Sequence, residues 1–179
     1  MAATAGELAW VDDAEAVVVG IGPVEAAVHA AARLAVAPPD AVLHVGIAGA
    51  RRASGIAIGD VVVGTEARYA DLAAALDSLV ALALPDAGLL ARVGGLLPGA
   101  VQAPIATTAR VGGGDGCPVE AMEGFAVLRA AAAAGVPAIE VRAISNMVEE
   151  RDRARWDVAA GLAAAAAAGR VVLDGLRAG

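Results

Sequence analysis

Residues 119–146 read VEAMEGFAVLRAAAAAGVPAIEVRAISN, and the rest of the predicted fold is built around them. An alanine-rich helix begins after Glu123 and ends at the Gly-Val-Pro turn. A short Ile- and Val-rich strand follows at 138–144, with Asn146 just beyond its carboxyl end. Ligands of α/β proteins gather at strand carboxyl ends and helix N-termini. We therefore predict that Glu123 and Asn146 line one crevice.

The flanking sequence alternates between strand-like and helix-like segments. We predict strands at 14–19, 41–45, 61–64 and 102–109, and helices at 24–35, 91–97 and 157–177. Two glycine-rich stretches, 46–50 and 110–117, are predicted loops. This alternation is typical of an α/β fold with a parallel or mixed sheet. We expect residues 1–179 to form one domain.

Composition excludes several classes of function. All 13 basic residues of the chain are arginine, so neither a Schiff-base lysine nor a P-loop lysine is present. The net charge is −7 and no basic run occurs, which argues against nucleic-acid binding. The lone Cys117 excludes an intramolecular disulfide. With only two histidines, far apart in sequence, a structural zinc site is not indicated.

The two ends of the sequence bear on localisation. The first ten residues, MAATAGELAW, have neither a basic region nor a long apolar run, so they do not resemble a signal peptide. Residues 158–173 are mostly alanine with charged neighbours, which favours a buried helix over a membrane span. We expect a cytoplasmic protein that does not use a membrane as a partner.

Four features are candidates for chemistry. The Gly20-x-Gly22 pair between a strand and a helix is typical of a tight turn, because the third glycine of the dinucleotide fingerprint is replaced by Glu25. Glu123 is either a carboxylate favoured by the helix dipole or an acceptor for a vicinal diol such as ribose. Asn146 is either a turn residue or an amide that reads a purine base. Glu7 matters only if the N-terminal segment brings it beside them.

Seven motifs follow one another along the chain: GIGPVEAA at 20–27, HVGIAGA at 44–50, IGDVV at 58–62, YADL at 69–72, EAMEG at 120–124, ISNMV at 144–148 and RDRARWD at 151–157. Taken together, these motifs resemble the nucleoside phosphorylase and nucleosidase superfamily, and within it the futalosine hydrolases. They cover most of the chain in the family's order.

The resemblance implies a three-layer α/β/α sandwich around a central mixed, partly barrel-like sheet. It also implies hydrolysis of the N-ribosidic bond of futalosine, which releases hypoxanthine in the futalosine route to menaquinone. The implied roles are water activation by Glu7, base recognition by Asn146, ribose-diol binding by Glu123, ribose packing by Met122, and a loop facing sugar and water at Ala48 and Gly49. The resemblance implies no cofactor and no metal. It does imply that the protein forms a homo-oligomer.

Two substitutions relative to the family guide the choice of substrate. Asn146 stands where adenine-specific nucleosidases carry Asp, and a neutral amide suits a 6-oxopurine such as hypoxanthine. His44 stands where phosphorylases carry Arg, which favours water over phosphate as the nucleophile.

Several alternatives stay open. They are a nucleosidase of the same superfamily that acts on another purine nucleoside, a purine nucleoside phosphorylase, and a catalytically weakened member that binds a nucleoside or a partner protein. The base-stacking aromatic residue of the family is missing. Phe125 is a candidate substitute, although a core position suits it better.

Overall fold

A computed structural model describes residues 1–11, 16–72, 79–114 and 116–178 of the chain. Within these ranges the strands are β1 Val42–Ala50, β2 Val61–Tyr69, β3 Leu82–Ala83, β4 Val101–Thr107, β5 Val119–Ala121 and β6 Ala138–Met147. The α-helices are α1 Pro23–Val36, α2 Ala87–Leu96, α3 Gly124–Ala134 and α4 Val158–Arg177. Gly6–Leu8, Arg52–Ser54 and Arg153–Arg155 are short 3₁₀ turns.

Five of the strands close into a ring. Their order is β2-β4-β5-β1-β6, and β6 pairs back onto β2, while β3 extends the sheet from β2. The pairs β2–β4, β4–β5 and β1–β6 are parallel, and β1–β5 and β2–β6 are antiparallel. The sheet is therefore mixed and barrel-like, as the resemblance implied.

Helices cover the sheet on two sides. On one side α1 packs against α3 over a cluster that includes Leu34, Val127 and Leu128. On the other, α4 packs on β1 and β6, with α2 beside it, over Val141 and Val172. A third apolar cluster draws Val62, Ile105, Ile144 and others from all five ring strands. The three-layer architecture is confirmed.

Strand β1 is longer than predicted. We expected a strand at 41–45 and a loop at 46–50, but the strand continues to Ala50. Gly49 pairs with Glu120 of β5 on one side and with Asn146 of β6 on the other, after a register shift between Ala48 and Gly49. Because the glycine-rich segment has strand partners on both sides, its backbone stays extended in spite of its composition.

The predicted strand at 14–19 is wrong in its described part. Residues 12–15 lie outside the described residues, and Val18 forms only an isolated parallel bridge with Ala2. The N-terminal residues are nevertheless held in place, because Met1 O accepts a hydrogen bond from Val45 N at 3.0 Å and Val19 N donates to Ala2 O at 2.8 Å. This short segment leads directly into the turn that carries Glu7.

The last helix is less buried than predicted. Asp157 caps α4 by accepting from Ala160 N at 2.9 Å, so the helix starts where expected. By length and composition the helix could cross a membrane. In the structure, 28% of its most apolar 18-residue stretch is buried. One small-residue face, including Gly161 and Ala165, packs on the sheet, and the opposite face is exposed.

Candidate active site

All six residues predicted for the site line one cavity. It has a volume of about 380 Å³, the size of a small-molecule pocket. The six are Glu7, Ala48, Gly49, Met122, Glu123 and Asn146. The cavity lies over the carboxyl end of β6 and the start of α3, where the sequence placed the crevice. Four separate parts of the chain therefore converge, including the N-terminal segment.

Glu7 is delivered to the cavity by its 3₁₀ turn and fixed there. Its Oε2 accepts hydrogen bonds from the backbone N–H and the hydroxyl of Thr4, both at 3.0 Å. Its Oε1 accepts from Ile47 N at 3.0 Å. A Cβ on Gly46 would lie 2.3 Å from that oxygen, so only glycine leaves room for this carboxylate. Glu7 is thus a buried carboxylate whose orientation is fixed by backbone and hydroxyl donors.

Glu123 stands at the N-cap position of α3, but its side chain does not cap the helix. Its Oε1 accepts from Gly22 N at 3.1 Å, and its Oε2 accepts from Arg142 Nη2 at 3.3 Å. The glycine pair at 20–22 is therefore a structural turn. Gly22, at φ 90°, brings its N–H to the carboxylate.

Arg142 holds the buried carboxylates together beneath the cavity. Its Nε donates to Glu140 Oε1 at 2.8 Å, and its Nη2 lies 3.3 Å from Glu123 Oε2 and 2.5 Å from His44 Nε2. Arg142, Glu140 and His44 are at most 1% exposed. A buried ion pair costs desolvation, so its retention in the core suggests a role beyond stability.

Burial and mutual charge control how this cluster titrates. Burial, followed by the positive charge of Arg142, holds the pKa of His44 well below its ordinary value of 6.5. Burial also raises the pKa of Glu140, and the charge of Arg142 opposes that rise. Burial opposes ionisation of Arg142, but Glu140 and Glu123 outweigh it and raise the pKa of the guanidinium. His44 is therefore neutral, with Nδ1 facing Met1 O at 3.1 Å and Nε2 accepting from Arg142.

The amide of Asn146 is oriented by its neighbour. Its Oδ1 accepts from the Ser145 hydroxyl at 2.9 Å, and its Nδ2 donates to Met147 O at 3.2 Å. Gly49 lies directly beneath, since a Cβ there would approach Nδ2 to 3.0 Å. An amide nitrogen carries two hydrogens, so Asn146 keeps one donor for a ligand.

A glycine loop forms another part of the cavity wall. Val111 of this loop lines the cavity, and Gly114 N donates to Glu120 Oε2 at 2.7 Å, while Gly112 N donates to the other oxygen. The predicted flexible loop at 110–117, of which residue 115 lies outside the described residues, is thus attached to β5. No sequence pattern indicated that Glu120 would hold this loop.

Two further lining residues were not singled out as site residues. Trp156 lies at the cavity mouth beside Arg153, whose guanidinium carbon is 5.4 Å from the centre of the indole ring. Asp157 N donates to Ser145 O at 2.8 Å and so ties this segment to the end of β6. Phe125, the candidate aromatic platform, lies in the core instead, with its ring 5.3 Å from that of Tyr69.

Arg142 and Glu140 were also missed, although the sequence carried a signal for them. Both lie within a strand whose other residues are apolar up to Ile144, and charged residues are rarely fully buried unless they are paired. Two opposite charges in a core strand indicate a buried network next to a functional site.

Comparison with known proteins agrees with this fold. The sequence profile described as "Phosphorylase superfamily" matches residues 5–93. A futalosine hydrolase of Streptomyces coelicolor is 59% identical over 49 residues, which span 27% of this chain and 21% of that protein. The matching segment therefore covers about a fifth of the relative's length.

Solved structures share the fold over nearly the whole chain. A 5′-methylthioadenosine/S-adenosylhomocysteine nucleosidase from Neisseria meningitidis, bound to methylthio-immucillin-A, has a TM-score of 0.83 at 21% identity, covering 96% of both chains. The native futalosine hydrolase of Helicobacter pylori has a TM-score of 0.79 at 16% identity, covering 88% of this chain and 77% of that one. The sequence match to the phosphorylase superfamily thus covers just under half of the chain, and the fold shared with the solved nucleosidases extends over nearly all of it.

Proposed function

We propose that this protein is a purine nucleosidase that hydrolyses the N-ribosidic bond of futalosine and releases hypoxanthine. One observation carries the proposal: a single cavity brings together two buried carboxylates, Glu7 and Glu123, and the oriented amide of Asn146. These groups match the three needs of nucleoside cleavage, which are a base for water, an acceptor for the ribose diol and a donor for the departing purine. The 59% identical segment of a futalosine hydrolase supports the choice of substrate.

The proposed reaction is a displacement by water at C1′ through an oxocarbenium-like transition state. The bond between C1′ and the purine nitrogen breaks, and its electron pair leaves with the purine. A lone pair of the water oxygen forms the new bond to C1′, and Glu7 takes the water proton. Positioned general bases contribute about 10²–10⁴ in rate. Glu123 accepts both ribose hydroxyls, and Arg142 fixes the orientation of that carboxylate.

Asn146 stabilises the negative charge that develops on the base. Its Nδ2–H is aimed by the Ser145 hydroxyl, which fixes the amide oxygen on the opposite side. A preorganised donor at a developing charge contributes about 10²–10³ in rate. Because the amide is neutral, it pairs with a 6-oxopurine without first taking up a proton. Hypoxanthine is therefore the base we assign, and an adenine nucleosidase is the alternative.

Water is the proposed nucleophile, because the cavity is poor in positive charge. Among its described lining residues the acids are Glu7, Glu120 and Glu123, and the cation is Arg153 at the mouth. Arg51 does not line the cavity; its Nε donates to Cys117 O at 3.1 Å. A phosphate co-substrate needs cationic, preferably bidentate partners near C1′. This distribution of charge argues against a phosphorylase.

We further infer a cytoplasmic homo-oligomer that acts in the futalosine route to menaquinone. Ile21, Val24 and Val28 are each about 60% exposed or more and form a stripe along the start of α1, beside the cavity that Ile21 lines. Contiguous exposed apolar surface of this kind marks a protein interface. Light scattering of the purified protein tests self-association directly.

Two variants test the assignment of the site. Glu123→Gln keeps an acceptor for Gly22 but loses one acceptor for the diol, and Asn146→Ala removes the base donor. We expect each to lower kcat/KM for hypoxanthine release from futalosine by at least about 10²-fold. Glu25→Gln, on the exposed surface of α1, is the matched control and should retain wild-type activity. Circular dichroism confirms that each variant is folded. Unchanged turnover in either site variant would contradict the proposal.

A further inference from the structure

We propose that Arg153, stacked on Trp156, binds a carboxylate carried by the 5′ substituent of the substrate. This inference rests on the proposed function and extends it from the reacting bond to the far end of the nucleoside. It also gives a use to the RDRARWD segment, residues 151–157, which the reaction at C1′ does not employ.

The charge pattern of the cavity is the first argument. Its deep part holds the carboxylates of Glu7 and Glu123, which are 6% and 4% exposed. Arg153 is the one cationic side chain among the described lining residues, and it lies at the exposed mouth. A ligand that fits this pattern presents hydroxyls to the interior and an anionic group to the opening.

The local geometry of the two neighbouring arginines is the second argument. Arg155 faces Glu150 at 3.6 Å and Asp152 at 3.9 Å. Arg153 forms no ion pair with the described residues and lies against the indole of Trp156 instead. A guanidinium stacked on a ring keeps its N–H edge free, and that edge matches a carboxylate with two parallel hydrogen bonds. The ring therefore preorganises Arg153 for an anion.

The stacked pair is also held rigidly. Trp156 Nε1 donates to Glu150 O at 3.0 Å, and Asp152 Oδ1 accepts from Ala154 N within the 3₁₀ turn. Asp157, which follows Trp156, donates its backbone N–H to Ser145 O, so the stacked pair keeps a fixed position relative to Asn146. A rigid site gives geometric selectivity at a low cost in ordering.

The direction of the substrate follows from its attachment points. In the proposed complex C1′ bears the base at Asn146, and the 2′ and 3′ hydroxyls are held by Glu123. The 5′ carbon is the remaining position of the ribose, and it alone can extend to the mouth. Futalosine carries a benzoate on its 5′ chain, whereas methylthioadenosine carries an uncharged methylthio group. A cation at the mouth thus favours the former class of nucleoside.

The test compares futalosine with its methyl ester, which has almost the same shape but no negative charge. Four proteins are assayed: wild type, Arg153→Gln, the matched control Arg155→Gln, and Trp156→Leu. We expect Arg153→Gln to raise KM for futalosine about tenfold or more, with kcat nearly unchanged, and to leave the ester unaffected. Arg155→Gln should behave as wild type. Trp156→Leu should weaken futalosine binding more than ester binding, because Arg153 loses its support.

Other results would overturn the inference. If Arg153→Gln weakens binding of futalosine and of its ester equally, Arg153 has a merely structural role. If it weakens binding of neither compound, Arg153 has no role in binding. Inorganic phosphate is the second anion tested: if it alone loses affinity in Arg153→Gln, the residue is a phosphate site. If wild type binds both compounds by calorimetry but releases no hypoxanthine, the proposed function fails, and the same affinities still decide the role of Arg153. If neither compound binds, both proposals fail.

Discussion

At the scale of single residues, the site depends on a buried arginine that contacts three polar side chains. Arg142 bonds Glu140 and Glu123 and donates to a neutral His44. Removing one member of such a buried network leaves an uncompensated charge, which typically costs about 3–5 kcal/mol. The cluster is therefore both a stabilising and a positioning element. It makes the side chain of Glu123, which stands at the N-cap position of α3, a fixed acceptor that faces the cavity.

His44 makes the stability of the protein depend on pH. Because its pKa is lowered in the folded state, the unfolded chain binds an extra proton below about pH 6.5, and stability falls as the pH decreases. Glu140, whose pKa is raised, acts in the opposite direction. We expect the stability advantage of wild type over His44→Gln to shrink by up to about 1.4 kcal/mol per pH unit below this point.

Chemical denaturation at a series of pH values measures this effect. His29→Gln, which removes the exposed histidine of α1, is the matched control and should follow the wild-type curve. Parallel pH profiles for wild type and His44→Gln would contradict the neutral, buried state of His44.

The sequence predicted which side chains line the cavity better than it predicted the residues that hold those side chains in place. Glu123 and Asn146 follow from the rule that ligands gather at strand ends and helix starts. Glu7 needed the family resemblance, because nothing local distinguishes it from a surface carboxylate. The supporting contacts of Arg142 and Glu120 depend on residues up to 98 positions away, such as His44, which periodicity and propensity do not report. The roles of all these side chains remain predictions.

At the scale of elements, the termini of α3 show how local and distant signals differ. Gly135 ends the helix in the left-handed conformation, at φ 68°, and the sequence indicated this. Gly124 begins it for a reason that lies elsewhere in the chain. A Cβ at Gly124 would lie 2.1 Å from Glu140 Oε2, so the carboxylate of β6 occupies the space of a side chain. Strand β1 is likewise longer than predicted for a reason outside its own sequence. Its neighbouring strands β5 and β6, and not its glycines, determine where it ends.

Gly124→Ala should therefore disrupt the contact between α3 and β6. Overpacking in a core typically costs about 1–3 kcal/mol. We expect a loss of stability in that range and a fall in activity, since displaced Glu140 no longer orients Arg142. Gly95→Ala in α2 is the matched control, because no atom lies within 4 Å of its added Cβ. It should be neutral or slightly stabilising, as alanine favours helix. Thermal unfolding of both variants measures the change in stability. Equal melting temperatures for Gly124→Ala and Gly95→Ala would contradict the close contact between Gly124 and Glu140.

At the scale of the whole molecule, the closed ring of strands produces the site. Because β6 pairs with both β1 and β2, the carboxyl end of β6 lies next to the glycine-containing carboxyl end of β1. The N-terminal segment then pairs with β1 at Val45 and brings Glu7 to the same place. The class of fold was predictable from the alternation of elements. Ring closure was not, since it depends on pairing between strands that are about 80 residues apart, as in Val62 with Arg142.

Isotope labelling tests the proposed reaction most directly. Wild-type protein is incubated with futalosine in phosphate-free buffer made with ¹⁸O-water, and the products are analysed by mass spectrometry. We predict release of hypoxanthine together with a sugar product that carries one ¹⁸O at C1′, at a rate that added phosphate leaves unchanged. A requirement for phosphate with a sugar phosphate as product, or no cleavage at all, would contradict hydrolysis by water at this site.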